Sequence, residues 1–242
     1  MTICAVIIMK SAHAKEFFKK YALKFIALLL IALEVFKQIN SFSEGAYRLY
    51  SLPFHYCSLF LYLLPLHAFY RGKLKAKINT VTLAISSSLF LMMLIMPGGV
   101  YDGDQISAFF TDPLCLHTVV FHSLVCLYLA IALFTGEFSE LSRHSLMTVA
   151  AFTLFYSVVA GALAYSLETN FHNFYYCIIT EFENIRQTLI DSIGAAGQII
   201  YMSAVAFLTV CYSVVSFIPA RIVAHTIASR KKDADIKNRG SV

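Results

Sequence analysis

Residues 113–134 read PLCLHTVVFHSLVCLYLAIALF, a run of 22 residues without Asp, Glu, Lys or Arg. An α-helix rises about 1.5 Å per residue, so this run is about 33 Å long and can cross the roughly 30 Å hydrocarbon core of a bilayer. Pro113 suits the first turn of a helix, where its missing N–H is not needed. The stretch therefore predicts a membrane-spanning α-helix that begins at residue 113.

Five more apolar runs along the chain are candidates for spans. The predicted spans are residues 21–36, 51–70, 78–96, 113–134, 145–167 and 196–223. Short polar segments separate them, and Pro97, Gly98 and Gly99 end the third. We therefore predict an all-α protein: one polytopic domain over residues 1–242, built as a bundle of six transmembrane helices.

The composition also indicates a membrane environment. Apolar residues make up 59% of the chain and charged residues 14%, with a mean hydropathy of +0.70, whereas soluble domains average roughly 45–50% apolar and about 25% charged. Residues 1–9 are apolar but too few to span, and Lys10 follows them, which is the reverse of a signal peptide. The six cysteines form no C-x-x-C pattern, so neither a zinc ribbon nor a redox motif is predicted.

Net charge alternates between the segments that flank the predicted spans. Four segments together carry +10, namely residues 1–20, 71–77, 135–145 and 221–242. The three segments between them carry −6, namely residues 38–51, 97–112 and 167–195. Positive segments stay on the cytoplasmic side, so we predict a multi-pass protein of the cell membrane with both termini in the cytoplasm. The pI near 8.8 then reflects topology, and no nucleic-acid partner is expected.

The last outer segment contains a helical pattern of its own. Apolar residues recur there every three or four positions, at Ile178, Phe182, Ile185, Leu189 and Ile193. This spacing predicts an amphipathic helix on the outer surface between spans five and six. It is either a connector or a lid over an outward-facing pocket. The aromatic residues 171–176 before it, FHNFYY, are expected near the lipid headgroups.

Glu34 is the one carboxylate within the body of a predicted span. A charge at the centre of a bilayer costs a few kcal/mol, so this side chain needs a partner. One interpretation is a local i,i+3 pair with Lys37 that reaches the membrane interface. The other is that Glu34 faces the bundle and orients a histidine.

A cysteine and two histidines lie at similar depths in two predicted spans that enter from the outer side. Cys57 lies about six residues into span two, and His117 and His122 lie about four and nine residues into span four. A histidine close to Cys57 could generate a thiolate nucleophile. His122 and Cys126, four residues apart, offer a second and weaker pairing. This spacing is not specific, because packing or helix–helix hydrogen bonding is the commoner role of such residues in membrane helices.

A metal site is the third interpretation of these residues. Its ligands would be His55, Cys57, His117 and His122, which have suitable chemistry but no local ligand motif. We therefore predict no metal and no cofactor.

Residues 52–59, LPFHYCSL, resemble the YwaF-type integral membrane family, bacterial six-span proteins related to a eukaryotic transmembrane phospholipid acyltransferase family. That family has a glutamate in the first span, L-P-x-H-x-C at the second, an aromatic approach to a histidine in the fourth and Thr-Asn-aromatic after the fifth. The matching positions are Glu34, Pro53, His55, Cys57, Ser58, Phe109, Phe110, Phe121, His122, Ser123, Thr169, Asn170 and Phe171. The family often has Asp after the cysteine, where this chain has Ser58.

The resemblance implies lipid chemistry near the outer leaflet. More distant relatives look like intramembrane lipid hydrolases that use a threonine nucleophile with a histidine. By this analogy Cys57 attacks a lipid ester, and His122, or else His117, is the general base. The residues that would stabilise the oxyanion or orient the base are His55, Asn170 and Glu34. The acceptor would be water in a hydrolase or a lysophospholipid in an acyltransferase, so membrane lipids are the expected partners.

Two functions without catalysis stay open. The chain could be a carrier for a solute or lipid, or a module that binds or senses a membrane ligand. Transporters often contain paired repeats with broken helices near the midplane, and the two halves of this chain show no such similarity. Its polar side chains are expected to cluster towards the outer half, which favours a one-sided pocket. The sequence indicates no oligomeric state.

Overall fold

The described part of the protein consists of α-helices joined by turns and short irregular segments. The computed structural model describes residues 21–43, 45, 47–101 and 106–239. The α-helices in these residues are α1 (Leu23–Ser43), α2 (Phe60–Phe69), α3 (Lys75–Ile95), α4 (Pro113–Thr135), α5 (Ser145–Ser166), α6 (Thr180–Ile193) and α7 (Ala195–Arg239). No β-strand occurs in them, so the all-α prediction is confirmed for this part. The prediction for residues 1–9 lies outside the described residues.

Five helices are long and apolar enough to cross a membrane: α1, α3, α4, α5 and residues 195–230 of α7. Their mean hydropathy lies between 1.6 and 2.1. Large apolar side chains point away from the bundle, among them Phe25, Phe155 and Phe207, each about two-thirds exposed. Helices that are apolar on their outer faces as well as their inner ones suit contact with acyl chains. The chain is therefore a helical membrane protein with five candidate spanning helices in its described part.

The predicted span over residues 51–70 is not a continuous helix. A 3-10 turn over Cys57–Leu59 leads into α2, which ends at Phe69, and the two together are only about 20 Å long. Pro53 accounts for the break at Leu52, because the residue before a proline is kept out of the α-helical region. Leu52 is accordingly extended, with φ of −60° and ψ of 141°. The described chain thus has a sixth apolar helix that is too short to cross a bilayer unaided.

Helix α3 lies at the centre of the bundle, in contact with α2, α4, α5 and α7. Every side chain from Asn79 to Leu89 is buried. Many of these are small and polar, and small side chains allow helices in a membrane to approach closely. The hydroxyls of Ser87 and Ser88 donate to carbonyls one turn earlier on the same helix, at 2.6 and 2.9 Å. The centre of the bundle therefore contains more polar groups than its lipid-facing surface suggests.

The turn after α4 is joined to α3 by a hydrogen bond. Helix α4 ends at Thr135 and is followed by Gly136. The φ of Gly136 is 75°, in the left-handed region that glycine adopts without steric cost. Asn79 Nδ2 donates to the carbonyl of Glu137 at 3.0 Å. His67 Nδ1 lies 2.6 Å from the Tyr128 hydroxyl, which joins α2 to α4. These contacts fix the relative positions of α2, α3 and α4.

Helix α6 forms where the amphipathic pattern predicts a helix, and none of its side chains is buried. It packs against the start of α7. Gly194, with φ of 62°, lies between the two helices. Gly197 lies in the first turn of α7. A Cβ atom at Gly197 would overlap the backbone carbonyl of Leu189, so only glycine permits this close approach.

Arg186 bonds α6 to α7 and also forms an ion pair with Glu183 on its own helix. Arg186 Nε donates to Glu183 Oε2 at 2.8 Å, and Arg186 Nη1 donates to Gln198 Oε1 at 2.8 Å. The hydrogen bonds from Arg186 hold the pKa of the Glu183 carboxyl below its usual value. Gln198 Nε2 in turn donates to the carbonyl of Phe174 at 2.9 Å. Helix α6 is thereby connected to the loop that precedes it.

Candidate functional site

The packing of α1 against α4 brings Glu34 and His117 together. His117 Nε2 lies 3.6 Å from Glu34 Oε2, an electrostatic contact that is longer than a hydrogen bond. Lys37 Nζ lies 2.7 Å from Glu34 Oε1. The side chains of Glu34 and His117 are 12% and 9% exposed, so little solvent screens their interaction. The carboxylate therefore has both a local lysine partner and a histidine partner on another helix.

A chain of hydrogen bonds leads from Glu34 to the irregular segment that precedes Cys57. Gln38 Nε2 donates to Glu34 Oε1 at 2.6 Å and to the carbonyl of Ser51 at 2.8 Å. The Tyr47 hydroxyl donates to Gln38 Oε1 at 2.7 Å. Because both ends of the Gln38 amide are bonded, Glu34 is held in one orientation relative to α4.

Cys57 begins the 3-10 turn ahead of α2, and its side chain is half-buried. The turn follows the segment that Gln38 joins to Glu34 through the Ser51 carbonyl, and α2, which it leads into, packs against α1. Within the described residues, Cys57 has no hydrogen bond to His117 or His122.

His122 is buried one to two turns further along α4 and has different partners. Its Nδ1–H donates to the carbonyl of Thr118 at 2.8 Å, and its ring lies edge-on to Tyr101. Cys126, the second cysteine considered for pairing, donates to the sulfur of Met93 at 3.5 Å rather than to His122. The structure therefore brings Glu34 to His117 and leaves His122 bonded to its own helix.

The other two residues of the predicted site lie in irregular segments. His55 Nε2–H donates to the carbonyl of Tyr50 at 2.9 Å. Asn170 Oδ1 accepts hydrogen bonds from the backbone N–H groups of Tyr175 and Tyr176, at 3.3 and 3.2 Å. The Asn170 side chain thus fixes the turn of its own loop.

The family of the chain follows from its sequence as a whole. A model of the TMEM164 family matches residues 1–219, which is most of the chain. The chain belongs to the TMEM164 family. No curated protein and no solved structure matches it. A transmembrane protein family is thereby established, whereas the YwaF-type label stays a prediction.

The aromatic loop after α5 of this TMEM164 family member has two buried phenylalanines. Phe171 and Phe174 are 0% and 1% exposed, whereas Tyr176 is 45% exposed. Phe171 packs edge-on against Phe54 and His55. These two phenylalanines therefore pack within the protein, as aromatic side chains do in a core, and the depth of residues 171–176 relative to the headgroups stays a prediction.

The same loop forms a polar cluster that sequence reasoning missed. Tyr56, which precedes Cys57, stacks on His172 with ring centroids 5.0 Å apart. The Tyr156 hydroxyl donates to the carbonyl of Phe54 at 3.1 Å. No spacing in the sequence relates Tyr156 or His172 to residues 54–56.

The described residues contain no group of three or more His, Cys, Asp and Glu side chains placed to hold a metal ion. The four residues of the metal interpretation, His55, Cys57, His117 and His122, thus form no such group. What the TMEM164 family chain does contain is a carboxylate against an imidazole, with a thiol that follows the segment joined to the carboxylate through Gln38. Carboxylate, imidazole and thiol are the three parts of a nucleophilic acyl-transfer site.

Proposed function

We propose that the protein is an intramembrane lipid acyltransferase or hydrolase with Cys57 as nucleophile and His117 as general base. The observation that carries this proposal is the contact between His117 Nε2 and Glu34 Oε2 across two helices. A carboxylate beside an imidazole stabilises the imidazolium that forms when the ring takes a proton. Cys57 is the nucleophilic side chain that follows the segment joined to Glu34 through Gln38.

The proposed reaction has two steps. His117 takes the Cys57 proton, and the thiolate attacks the carbonyl carbon of a lipid ester. A C–S bond forms, the ester C–O bond breaks, and His117 returns the proton to the departing alcohol oxygen. In the second step His117 deprotonates the acceptor hydroxyl, whose oxygen attacks the thioester. The Cys57 sulfur leaves and regains its proton, so the enzyme is restored.

His117 is preferred to His122 for a geometric reason. The Nδ1–H of His122 is bonded to its own helix at Thr118, and within the described residues it faces no carboxylate. Cys57 and His117 share no hydrogen bond in the described structure, and catalytic hydrogen bonds often form only when substrate binds. His55 and Asn170 are proposed to orient the segments around the reacting carbonyl.

Labelling of Cys57 by an iodoacetamide that carries a sixteen-carbon chain tests this proposal. With His117 as base, His117→Ala should slow labelling about 100-fold, a usual contribution of a general base. The matched control is His122→Ala, which should change the rate less than about threefold by the same reasoning. Thermal melting in detergent verifies that both variants are folded. Equal labelling rates for wild type and His117→Ala would refute His117 as base.

The topology belongs to the same proposal. Six crossings, both termini in the cytoplasm and α6 at the outer surface are supported by the alternating charges of the connecting segments. The short helix α2 would complete its crossing with the irregular residues 52–56. Non-helical backbone is tolerated at membrane depth where protein surrounds it, and Tyr156 bonds this segment from α5.

One observation favours a carrier as the second candidate. The buried polar side chains of α3 extend from Asn79 to Ser88, further along the helix than expected for a pocket on one side only. Thr82 and Ser86 have buried hydroxyl oxygens without a hydrogen-bond partner in the described structure, so they could line a polar path. Lipid exchange between the leaflets of reconstituted vesicles distinguishes the candidates: a carrier retains exchange in Cys57→Ala, whereas an acyltransferase catalyses no exchange.

A further inference from the structure

The loop after α5 contains three residues in an unusual backbone conformation. Glu168, His172 and Asn173 have φ values of 49°, 52° and 60°. Residues other than glycine rarely adopt positive φ, although asparagine and histidine do so more readily than glutamate. Backbone strain at such positions persists only where the surrounding contacts compensate for it. A compensating contact is therefore expected at the side chain of His172.

His172 is bonded to helix α7. Its Nε2 lies 2.9 Å from Thr209 Oγ1. The Thr209 hydroxyl donates its own hydrogen to the carbonyl of Val205 at 2.8 Å, so it can only accept from His172. Nε2 therefore carries the hydrogen, and the ring has one defined tautomer and orientation.

Tyr56 is held by the same helix and by the His172 ring. The two rings are nearly parallel, with 20° between their planes and centroids 5.0 Å apart. Ser213 donates to the carbonyl of Thr209, so its oxygen accepts the Tyr56 hydroxyl at 2.9 Å. Thr209 and Ser213 are one turn apart on α7, and together they fix His172 and Tyr56 side by side.

We propose that His172 is a positioning residue that holds the backbone of residues 54–57, and with it the Cys57 thiol, in place. Cys57 is adjacent to Tyr56, and the residue before His172, Phe171, packs against Phe54. The catalytic part of this inference rests on the proposed function. The positioning part does not, because the environment of the thiol can be measured without substrate.

The test uses variants in which Cys57 is the only cysteine, labelled with N-ethylmaleimide in reconstituted vesicles. His172→Ala should increase the labelling rate about tenfold, because the loosened segment opens locally more often. His172→Gln retains an N–H near the position of Nε2 and should restore the rate to within about threefold of wild type. The control His225→Ala changes an exposed residue of α7 and should have no effect.

A second variant guards against misfolding of His172→Ala. Thr209→Val removes only the hydroxyl that accepts from His172, and it should also increase Cys57 labelling. Unchanged labelling in both Thr209→Val and His172→Ala would overturn the proposal, and so would equal increases in His172→Ala and His172→Gln. Increased labelling with rescue by glutamine supports positioning even if lipid turnover is absent, in which case only the proposed function fails. With turnover present, His172→Ala should lower kcat more than it raises KM, because it misplaces the nucleophile.

Discussion

At the scale of single residues, the interpretation of the candidate site depends on the contacts of Glu34. The sequence left two interpretations of this carboxylate, a local pair with Lys37 or the orientation of a histidine. The structure contains both contacts, at 2.7 and 3.6 Å, so the two were never exclusive. The family resemblance favoured His122 over His117 as the base, whereas the contact with Glu34 depends on which face of α4 meets α1. The five-residue spacing of the two histidines carries no information about that packing.

Substitutions at Glu34 and Lys37 separate the two contacts. Glu34→Gln keeps an acceptor for Gln38 but removes the charge that faces His117, so lipid turnover should fall about 100-fold in kcat. Lys37→Gln breaks only the local pair and leaves the charge that faces His117, so kcat should change less than about threefold. Steady-state kinetics in mixed micelles gives both values. Equal losses in the two variants would contradict a special role for the Glu34–His117 contact.

At the scale of elements, local sequence signals predict helix ends well where no side-chain contact extends the helix. The prediction for residues 113–134 differs from α4 by one residue, because Pro113 opens the helix and Gly136 follows its last turn. Helix α1 continues to Ser43, past the predicted end at residue 36, since Glu34, Lys37 and Gln38 bond with one another instead of ending the helix. Pro53 keeps Leu52 out of the helical conformation. The predicted span over residues 51–70 did not take this effect into account.

The hairpin between α6 and α7 provides a prediction at this scale. Gly197→Ala places a methyl group against the carbonyl of Leu189, and such overpacking costs about 1–3 kcal/mol. The expected result is a lower melting temperature and weaker hydrogen-exchange protection of α6. The control is Gly98→Ala, because a Cβ atom at Gly98 meets no heavy atom within 4 Å. If the two variants melt alike, the close approach of α6 to α7 is not as described.

At the scale of the whole molecule, hydropathy predicts the membrane class but not the interior. Apolar runs indicated an all-α membrane protein, and the described helices and the TMEM164 family match agree. Hydropathy cannot reveal that residues 52–56 and 167–177 fold into the bundle and meet there, because a buried irregular segment and an interfacial loop have similar compositions. The contacts that link Phe54, Tyr56 and His172 join residues more than a hundred positions apart.

The proposed topology predicts which surface positions face the cytoplasm. Single cysteines introduced at the exposed positions Lys73 and Arg143 should react with an impermeant maleimide only after cells are permeabilised. A cysteine at Glu181 on α6 should react in intact cells, because the segment between α5 and α7 carries net negative charge. All three variants use a background without native cysteines. Labelling of Lys73→Cys and Glu181→Cys from the same side would contradict the six-crossing arrangement.

The central claim is that Cys57 forms a covalent bond to an acyl chain within the bundle. The most direct measurement is mass spectrometry of the acid-quenched protein after incubation with a phospholipid that carries isotopically labelled acyl chains. We predict one labelled acyl group on the peptide that contains Cys57, released by neutral hydroxylamine as a thioester is, and formed about 100-fold more slowly in His117→Ala. Lipid turnover that continues undiminished in Cys57→Ala, without an acylated cysteine, would contradict the claim.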